Sequence, residues 1–227
     1  MAAGVGGHPF EIQTGSCLAS AACALRGRAG MKLWLVRHAQ PLVDGGVCYG
    51  ALDVAADAPA TLQAARSLAQ VSPHGVPVVS SPLQRCELLA HTLCGLRPDL
   101  IYKTDHRLAE MNFGCFEGQR WDAMPRQALD DWTADFWQHR FGGAQSVAEF
   151  MAQVASVWDA AATGQQDQVW ITHAGVIRAA HLLARGVRQV QHAAQWPLDA
   201  PAFGQWCVLN VALDPLSLAN RNGCVSK

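Results

Sequence analysis

The chain predicts an α/β fold, a mostly parallel sheet with helices on both faces, and three observations carry that expectation. From Met31 onward, apolar strand-like runs alternate with amphipathic helix-like stretches, the pattern of a parallel sheet covered on both sides. Three of the runs stop at residues that carry chemistry: Leu33–Val36 at Arg37-His38, Val76–Ser81 at Pro82-Leu83-Gln84-Arg85, and Val169–Thr172 at His173. Strands of a parallel sheet present their carboxyl ends to one crevice, so two arginines and two histidines are expected to meet there in a site suited to phosphate. Finally, 227 residues suffice for one such domain with a full core and would make two independent domains a stretch.

The elements follow in order. After the first strand, Pro41 to Asp57 reads as a loop with Gly45, Gly46 and Gly50, leading into a helix carrying Leu62, Ala65, Leu68 and Ala69. The second strand passes into a helix for which Ser81 is the expected cap and Pro82 the first residue. Its apolar face is Leu83, Cys86, Leu89, Ala90 and Leu93, and Asp99-Leu100-Ile101-Tyr102 is a short strand candidate. Ser146-Val147-Ala148-Glu149 has capping-box spacing, and Val147, Phe150, Met151, Val154, Val157, Trp158 and Ala161 recur behind it with helical period. A helix from Ala174 to Arg185 is stopped by Gly186, and Val208 to Leu213 is the last strand, at the sheet edge.

One segment breaks the alternation. Glu110 to Gly143 holds Phe113, Phe116, Trp121, Trp132, Phe136, Trp137 and Phe141 among charged residues. Packing on one or two helices accounts for most of these rings, and a cap stacking its aromatic surface on part of a substrate accounts for a few.

Composition excludes several classes of function. Seventeen basic against eighteen acidic side chains give no overall field toward nucleic acid or an anionic membrane. No apolar run approaches the roughly 18 residues that span a bilayer, so neither partner is expected, and the protein is expected to be soluble. The eight cysteines include no C-x-x-C pair and no cluster of the kind zinc requires. They read as reduced thiols of a cytoplasmic protein, with Cys86 and Cys94 on a buried helix face. Residues 1–30 are rich in Ala and Gly, lack the basic and apolar pattern of a secretory signal, and are expected to be a flexible extension or a start-site artefact ahead of Met31. Residues 31–215 are expected to form the single domain, and 216–227 a tail.

Leu35-Val36-Arg37-His38-Ala39 resembles the R-H-G signature of the histidine phosphatase superfamily, also called phosphoglycerate mutase-like. Ser80-Ser81-Pro82-Leu83-Gln84-Arg85 resembles its S-S-x-x-x-R segment, Leu108 to Gly118 its L-x-E-x-x-x-G-x-x-E-G segment, and Thr172 to Arg178 its H-x-G-x-I-R segment. Each fragment alone is weak, but they occur in the family's order and spacing. The resemblance implies a three-layer αβα sandwich with a small helical cap insertion at about 110–143.

The resemblance also implies a mechanism that the residues could perform unaided. His38 is the nucleophile that forms a transient phosphohistidine, kept neutral by the cationic neighbours Arg37 and Arg85. Arg37 and Arg85 grip the phosphoryl oxygens with planar guanidinium groups, and His173 donates to the same oxygens as charge develops. Glu110 is the general acid and then the base; bound phosphate raises its pKa and the arginines lower it, so its direction stays open. No metal and no cofactor is called for. Arg178 reads as an ordinary surface cation.

The loop Tyr49-Gly50-Ala51-Leu52-Asp53 is similar to the Y-G-x-x-D element of α-ribazole phosphatase-like members, implying α-ribazole 5'-phosphate or a related small phosphate ester as substrate. Gln40, Asp44, Tyr49 and Gly50 are the substrate-binding candidates. Departures from the family pattern are Ala39 for glycine, Gln40 for glutamate, Asp44 for asparagine, and Gln145 for the glutamate of G-G-E-S. Asp44 must turn away, pair with an arginine, or weaken phosphate binding. The ranked alternatives are a phosphoglycerate mutase-like phosphoryl-transfer isomerase, for which the chain from its first strand is short, and a silent phosphate-ligand binder suggested by Asp44 and Gln145.

Overall fold

A computed structural model of the chain describes residues 30–211. Its five strands are β1 (Met31–Arg37), β2 (Val78–Ser80), β3 (Tyr102–Thr104), β4 (Gln168–Thr172) and β5 (Trp206–Val211), in the order β3-β2-β4-β1-β5. All neighbours pair in parallel except β5, which runs antiparallel to β1 at the edge. The helices are α1 (Ala58–Val71), α2 (Gln84–Leu96), α3 (Arg126–Ala134), α4 (Val147–Gly164) and α5 (Ala174–Ala184). This is the α/β architecture expected from the alternation.

Strand side chains alternate between faces, and here each face feeds its own core. Leu33 and Leu35 of β1 and Trp170 of β4 pack with Phe150 and Val154 of α4 and Val176 and Ala180 of α5. Trp34 and Val36 of β1 and Val169 and Ile171 of β4 pack on the other face with Ala65 and Leu68 of α1 and Leu89 and Leu93 of α2. The near-continuous apolar strands are thus buried on both sides. Helix α4 begins at the expected capping box: the Ser146 hydroxyl accepts from the Glu149 amide, and the Glu149 carboxylate accepts from the Ser146 amide.

Three expectations need correction, and α1 shows which of its residues face inward. In α1 the buried residues are Thr61, Ala64, Ala65 and Leu68, while Leu62 is 36% exposed. A Cβ built on Gly204, in the turn before β5, would lie 2.9 Å from the Ala64 Cβ, so that turn approaches α1 closely only because Gly204 has no side chain. Helix α2 begins at Gln84 rather than Pro82, and its residue at the cap position, Leu83, has no side chain to offer. The cap comes from another part of the chain: Asp53 Oδ1 accepts from the Gln84 amide at 2.8 Å. Strand β3 starts only at Tyr102, because the Asp99 carboxylate is committed to the Arg97 guanidinium and the Gly75 amide, which bend the chain.

The segment Glu110 to Gly143 holds one helix, α3, within the one or two expected, and single 3-10 turns at Gly114–Phe116 and Trp121–Ala123. Gly114 and Gly142 press backbone to backbone, both at positive φ (56° and 69°). A Cβ on either would meet a carbonyl oxygen at 2.0 or 1.9 Å. The fully buried Phe141 stacks between Phe116 and Trp132, each at 4.5 Å between ring centroids. Most of the aromatic residues are therefore packing, as expected for the majority of them.

Among the described residues no helix is long and apolar enough to cross a membrane, and Cys48, Cys86, Cys94, Cys115 and Cys207 are unpaired. The expectations for residues 1–29 and 212–227, including Cys17, Cys23 and Cys224, lie outside the described residues.

Candidate active site

Strands β2, β4 and β1 lie side by side, so their carboxyl ends set Arg85, His173, Arg37 and His38 around one cavity of about 240 Å³, which Glu110 and Tyr49 also line. The backbone at the end of β1 is pinned on both sides: the His38 amide donates to the Thr172 carbonyl, and the Gly204 amide donates to the His38 carbonyl, each at 3.0 Å. The imidazole is 2% exposed. Its Nδ1 lies 2.7 Å from the Ala39 carbonyl oxygen, and because a carbonyl can only accept, Nδ1 carries the proton. Burial first, then the positive charge of Arg85, with a smaller push from Arg37, takes the pKa from 6.5 down to about 3 against the pull of the Ala39 carbonyl. His38 is therefore neutral near pH 7, with a bare lone pair on Nε2.

Both arginines are held by backbone oxygens and keep unused donors. Arg37 Nη1 donates to Pro201 O at 3.1 Å, and its guanidinium lies 3.9 Å over the ring centroid of Phe203, a cation–π contact. Arg85 is fully buried; Nη1 donates to Leu52 O at 2.8 Å and Nη2 to Gly50 O at 2.6 Å. The Nε of each arginine has no partner. His173 is 1% exposed, with its ring centroid 5.2 Å from that of His38. Burial, followed by the positive charge of Arg85 and then by His38, whenever it is protonated, and Arg37, holds its pKa well below 6.5, so it too is neutral.

Glu110 joins the cavity from the loop after β3. Its Oε2 accepts from the Gly175 amide in the first turn of α5 at 2.9 Å, and Oε1 from the Met111 amide at 3.1 Å. Gly175 permits this approach, since a Cβ there would sit 2.2 Å from Glu110 Oε1. Burial raises the Glu110 pKa above its ordinary value and outweighs the two amides, Arg85 and Arg178, which lower it. The direction left open by the sequence is upward, toward a protonated carboxyl.

The expected substrate-binding residues divide. Tyr49 lines the cavity. Gly50 stands behind it, presenting its carbonyl to Arg85, and a Cβ at Gly50 would lie 1.8 Å from Met111 O. Gln40 and Asp44 do not line the cavity and are exposed. The Gln40 amide reaches only Pro41 O, at 3.5 Å, because its backbone is tied to Asp57 at the entry to α1. Asp44 sits in a turn closed by Val47, and its charge acts on Arg120, so of the three outcomes it turns away. Gln145 accepts from the Asn112 amide at 3.0 Å and donates to Gln153, which donates to the carbonyls of Arg107 and Ala109. It holds the Glu110 loop. Neither departure supports a silent binder.

Three residues were missed by sequence reasoning. Arg178 is not a surface cation: it lines the cavity, donates from Nη2 to Leu198 O at 2.8 Å and has an unpartnered Nε. The available signal was its position four residues after Ala174, which puts both on one face of α5. Glu117 accepts four amides, Gly50 at 3.0 Å, Ala51 at 2.8 Å, Leu52 at 2.6 Å and Phe113 at 2.9 Å. The residues whose carbonyls hold Arg85 are thus themselves held by Glu117. Phe203 carried no sequence signal, because its contact with Arg37 arises from the return of the chain into β5.

The comparisons with known proteins agree with this geometry. The model of the histidine phosphatase superfamily (branch 1) matches residues 33–208. A Hydrogenobacter thermophilus protein named "Putative phosphoserine phosphatase 2" is 28% identical over 162 residues, 69% of this chain and 79% of that protein. The solved structure of a mycobacterial glucosyl-3-phosphoglycerate phosphatase superposes with a TM-score of 0.66 at 22% identity, over 79% of this chain and 89% of its own; at that identity it establishes the fold. A Thermus thermophilus protein superposes with a TM-score of 0.60 at 26% identity, over 79% of this chain and 94% of its own. A neutral histidine among arginines at three parallel strand ends, in a chain that this family model covers from β1 to β5, places the protein in the histidine phosphatase superfamily.

Proposed function

We propose that the protein is a phosphomonoesterase that works through a phosphohistidine at His38, with α-ribazole 5'-phosphate or a related small phosphate ester as substrate. The observation that carries the reading is the state of His38: neutral, with its proton fixed on Nδ1 by Ala39 O, so that the Nε2 lone pair is left unprotonated. Nε2 attacks phosphorus and the ester P–O bond breaks, while Glu110 gives its proton to the departing alkoxide oxygen. The resulting carboxylate then takes a proton from water, whose oxygen attacks phosphorus and breaks the P–N bond, releasing phosphate and restoring His38. Unused N–H groups of Arg37, Arg85 and Arg178 and a donor from His173 hold the phosphoryl oxygens through both steps.

The substrate reading rests on the Tyr49–Asp53 loop and on the apolar side chains of Val47, Phe113 and Trp121, which line the cavity beside the charged residues. They suit an ester whose alcohol part carries an apolar or aromatic group. A cytoplasmic setting belongs to the same proposal and is supported by the five described cysteines, which form no disulfide. The test is phosphate release in EDTA from α-ribazole 5'-phosphate, O-phosphoserine, sugar phosphates and phosphoglycerates, with the wild type and His38→Ala side by side. The proposal expects turnover lost in the variant and a preference for α-ribazole 5'-phosphate. Equal turnover by His38→Ala would refute the mechanism, and a preference for another ester would refute the substrate.

A further inference from the structure

Ser81 was expected to cap a helix, yet that helix begins three residues later with its cap supplied by Asp53. The hydroxyl is instead turned toward the active site, in a residue with no exposed surface. Its Oγ lies 2.8 Å from Nε2 of His173 and accepts weakly from the Leu83 amide at 3.3 Å. A serine hydroxyl has one proton to donate, and a buried donor left unused is costly. The nearest strong acceptor for that proton is His173 Nε2.

We infer that Ser81 is a positioning residue for the reaction: its hydroxyl donates to His173 Nε2 and so places the single proton of the neutral imidazole on Nδ1. Which ring nitrogen carries the proton is set by the hydrogen bond the other makes. Nδ1 has no oxygen or nitrogen partner among the described residues; the Cys86 sulfur lies 3.9 Å from it and 3.5 Å from Nε2, farther from Nε2 than the Ser81 hydroxyl. Nδ1 is therefore the nitrogen left to donate to a phosphoryl oxygen in the cavity that His173 lines. With the proton on Nε2 instead, Nδ1 would turn a lone pair toward a dianion and repel it. The two histidines then share a tautomer for opposite purposes, with Nδ1–H of His38 parked on a carbonyl to free Nε2 for attack and Nδ1–H of His173 left free to donate.

The inference rests on the phosphatase reading for its consequence but not for its first measurement, which needs no substrate. In full-length protein labelled with nitrogen-15 in histidine, with the His173 signals assigned by their loss in His173→Asn, the wild type is expected to show a protonated Nδ1 and a bare Nε2. A proton on Nε2 would overturn the inference, whatever the fate of the phosphatase reading. Ser81→Ala is expected to lose this pattern and to lower kcat by roughly 10–100-fold with a smaller change in KM, since the lost donor acts most strongly in the transition state. Ser81→Thr, which keeps the hydroxyl, is expected to restore most of the rate. A folded Ser81→Ala protein with wild-type kcat would also overturn it, and if that variant does not fold, the wild-type spectrum alone decides.

Discussion

Glu110 and His38 are moved in opposite directions by the same burial, because desolvation favours the neutral form of each: a protonated carboxyl and an unprotonated imidazole. Burial thus favours the acid form of one and the nucleophilic form of the other. The sign of the pH dependence follows. With the Glu110 pKa raised, kcat/KM should hold through mildly acidic pH and fall as pH rises through the raised value, when the proton needed by the leaving group is gone. Glu110→Gln should abolish that alkaline limb and lower turnover about 100-fold or more on an alkyl phosphate, with a smaller loss on an aryl phosphate whose leaving group needs no proton. A pH–rate profile of both proteins checks it, and an unchanged limb in the variant would assign it to another group. Arg37, His38, Arg85 and His173 were legible in the sequence because each stands at a strand end, where topology alone predicts convergence. The Glu110 pKa was not, because it depends on Gly175, 65 residues away, admitting the carboxylate against the first turn of α5.

The elements position these residues through carboxylates that hold backbone. Asp53 caps α2 from outside it, and Glu117 gathers the amides of Gly50, Ala51 and Leu52, whose neighbouring carbonyls hold the Arg85 guanidinium. Hydrogen bonds to a charged group are stronger than neutral ones. Glu117→Gln, which keeps the shape but offers one acceptor oxygen, should cost roughly 2–3 kcal/mol of stability and raise KM through a loosened Arg85, as read by denaturant unfolding and steady-state kinetics. Wild-type KM in a destabilised variant would show that Glu117 serves the fold alone. Local signals disclosed α4, whose capping box and period agree, and the apolar face of α2. They misplaced the start of α2, since it is decided by a distant partner, Asp53. Gly114 and Gly142 shape the aromatic segment by a contact across 28 residues, which no local window contains.

At the scale of the whole molecule, the sheet stores the site's electrostatics as an acid-sensitive contribution to stability. The pKa of His38 is about 3 when folded against 6.5 otherwise, so the unfolded chain binds the extra proton between those values. The stabilisation is complete above pH 6.5 and is lost as pH falls toward 3; for a single such histidine the loss is about 2 kcal/mol by pH 5. Glu110, whose pKa is raised, works in the opposite sense, so the comparison is with a variant rather than with neutral pH alone. Between pH 8 and pH 5 the wild type should lose about 2 kcal/mol more stability than His38→Gln, measured by denaturant unfolding at both pH values. Equal losses would mean that His38 is protonated in the folded protein. The class of fold was readable from the alternation of strand and helix, and an edge strand from the late apolar run at Val208, although β5 begins two residues earlier, at Trp206, and its antiparallel direction was not foreseen. The strand order β3-β2-β4-β1-β5 was not, because which strands are neighbours is set by pairings between distant segments that leave no mark on either strand alone.

The central claim is that His38 carries the phosphoryl group. Rapid acid-free quenching of the wild-type protein during turnover of a phosphate ester radiolabelled in the phosphate, followed by peptide mapping, tests it most directly. The account predicts a label stable to alkali and lost in acid on the peptide containing His38, and no label in His38→Ala. Label on any other residue, or full turnover with no protein-bound phosphate at any time, would contradict it.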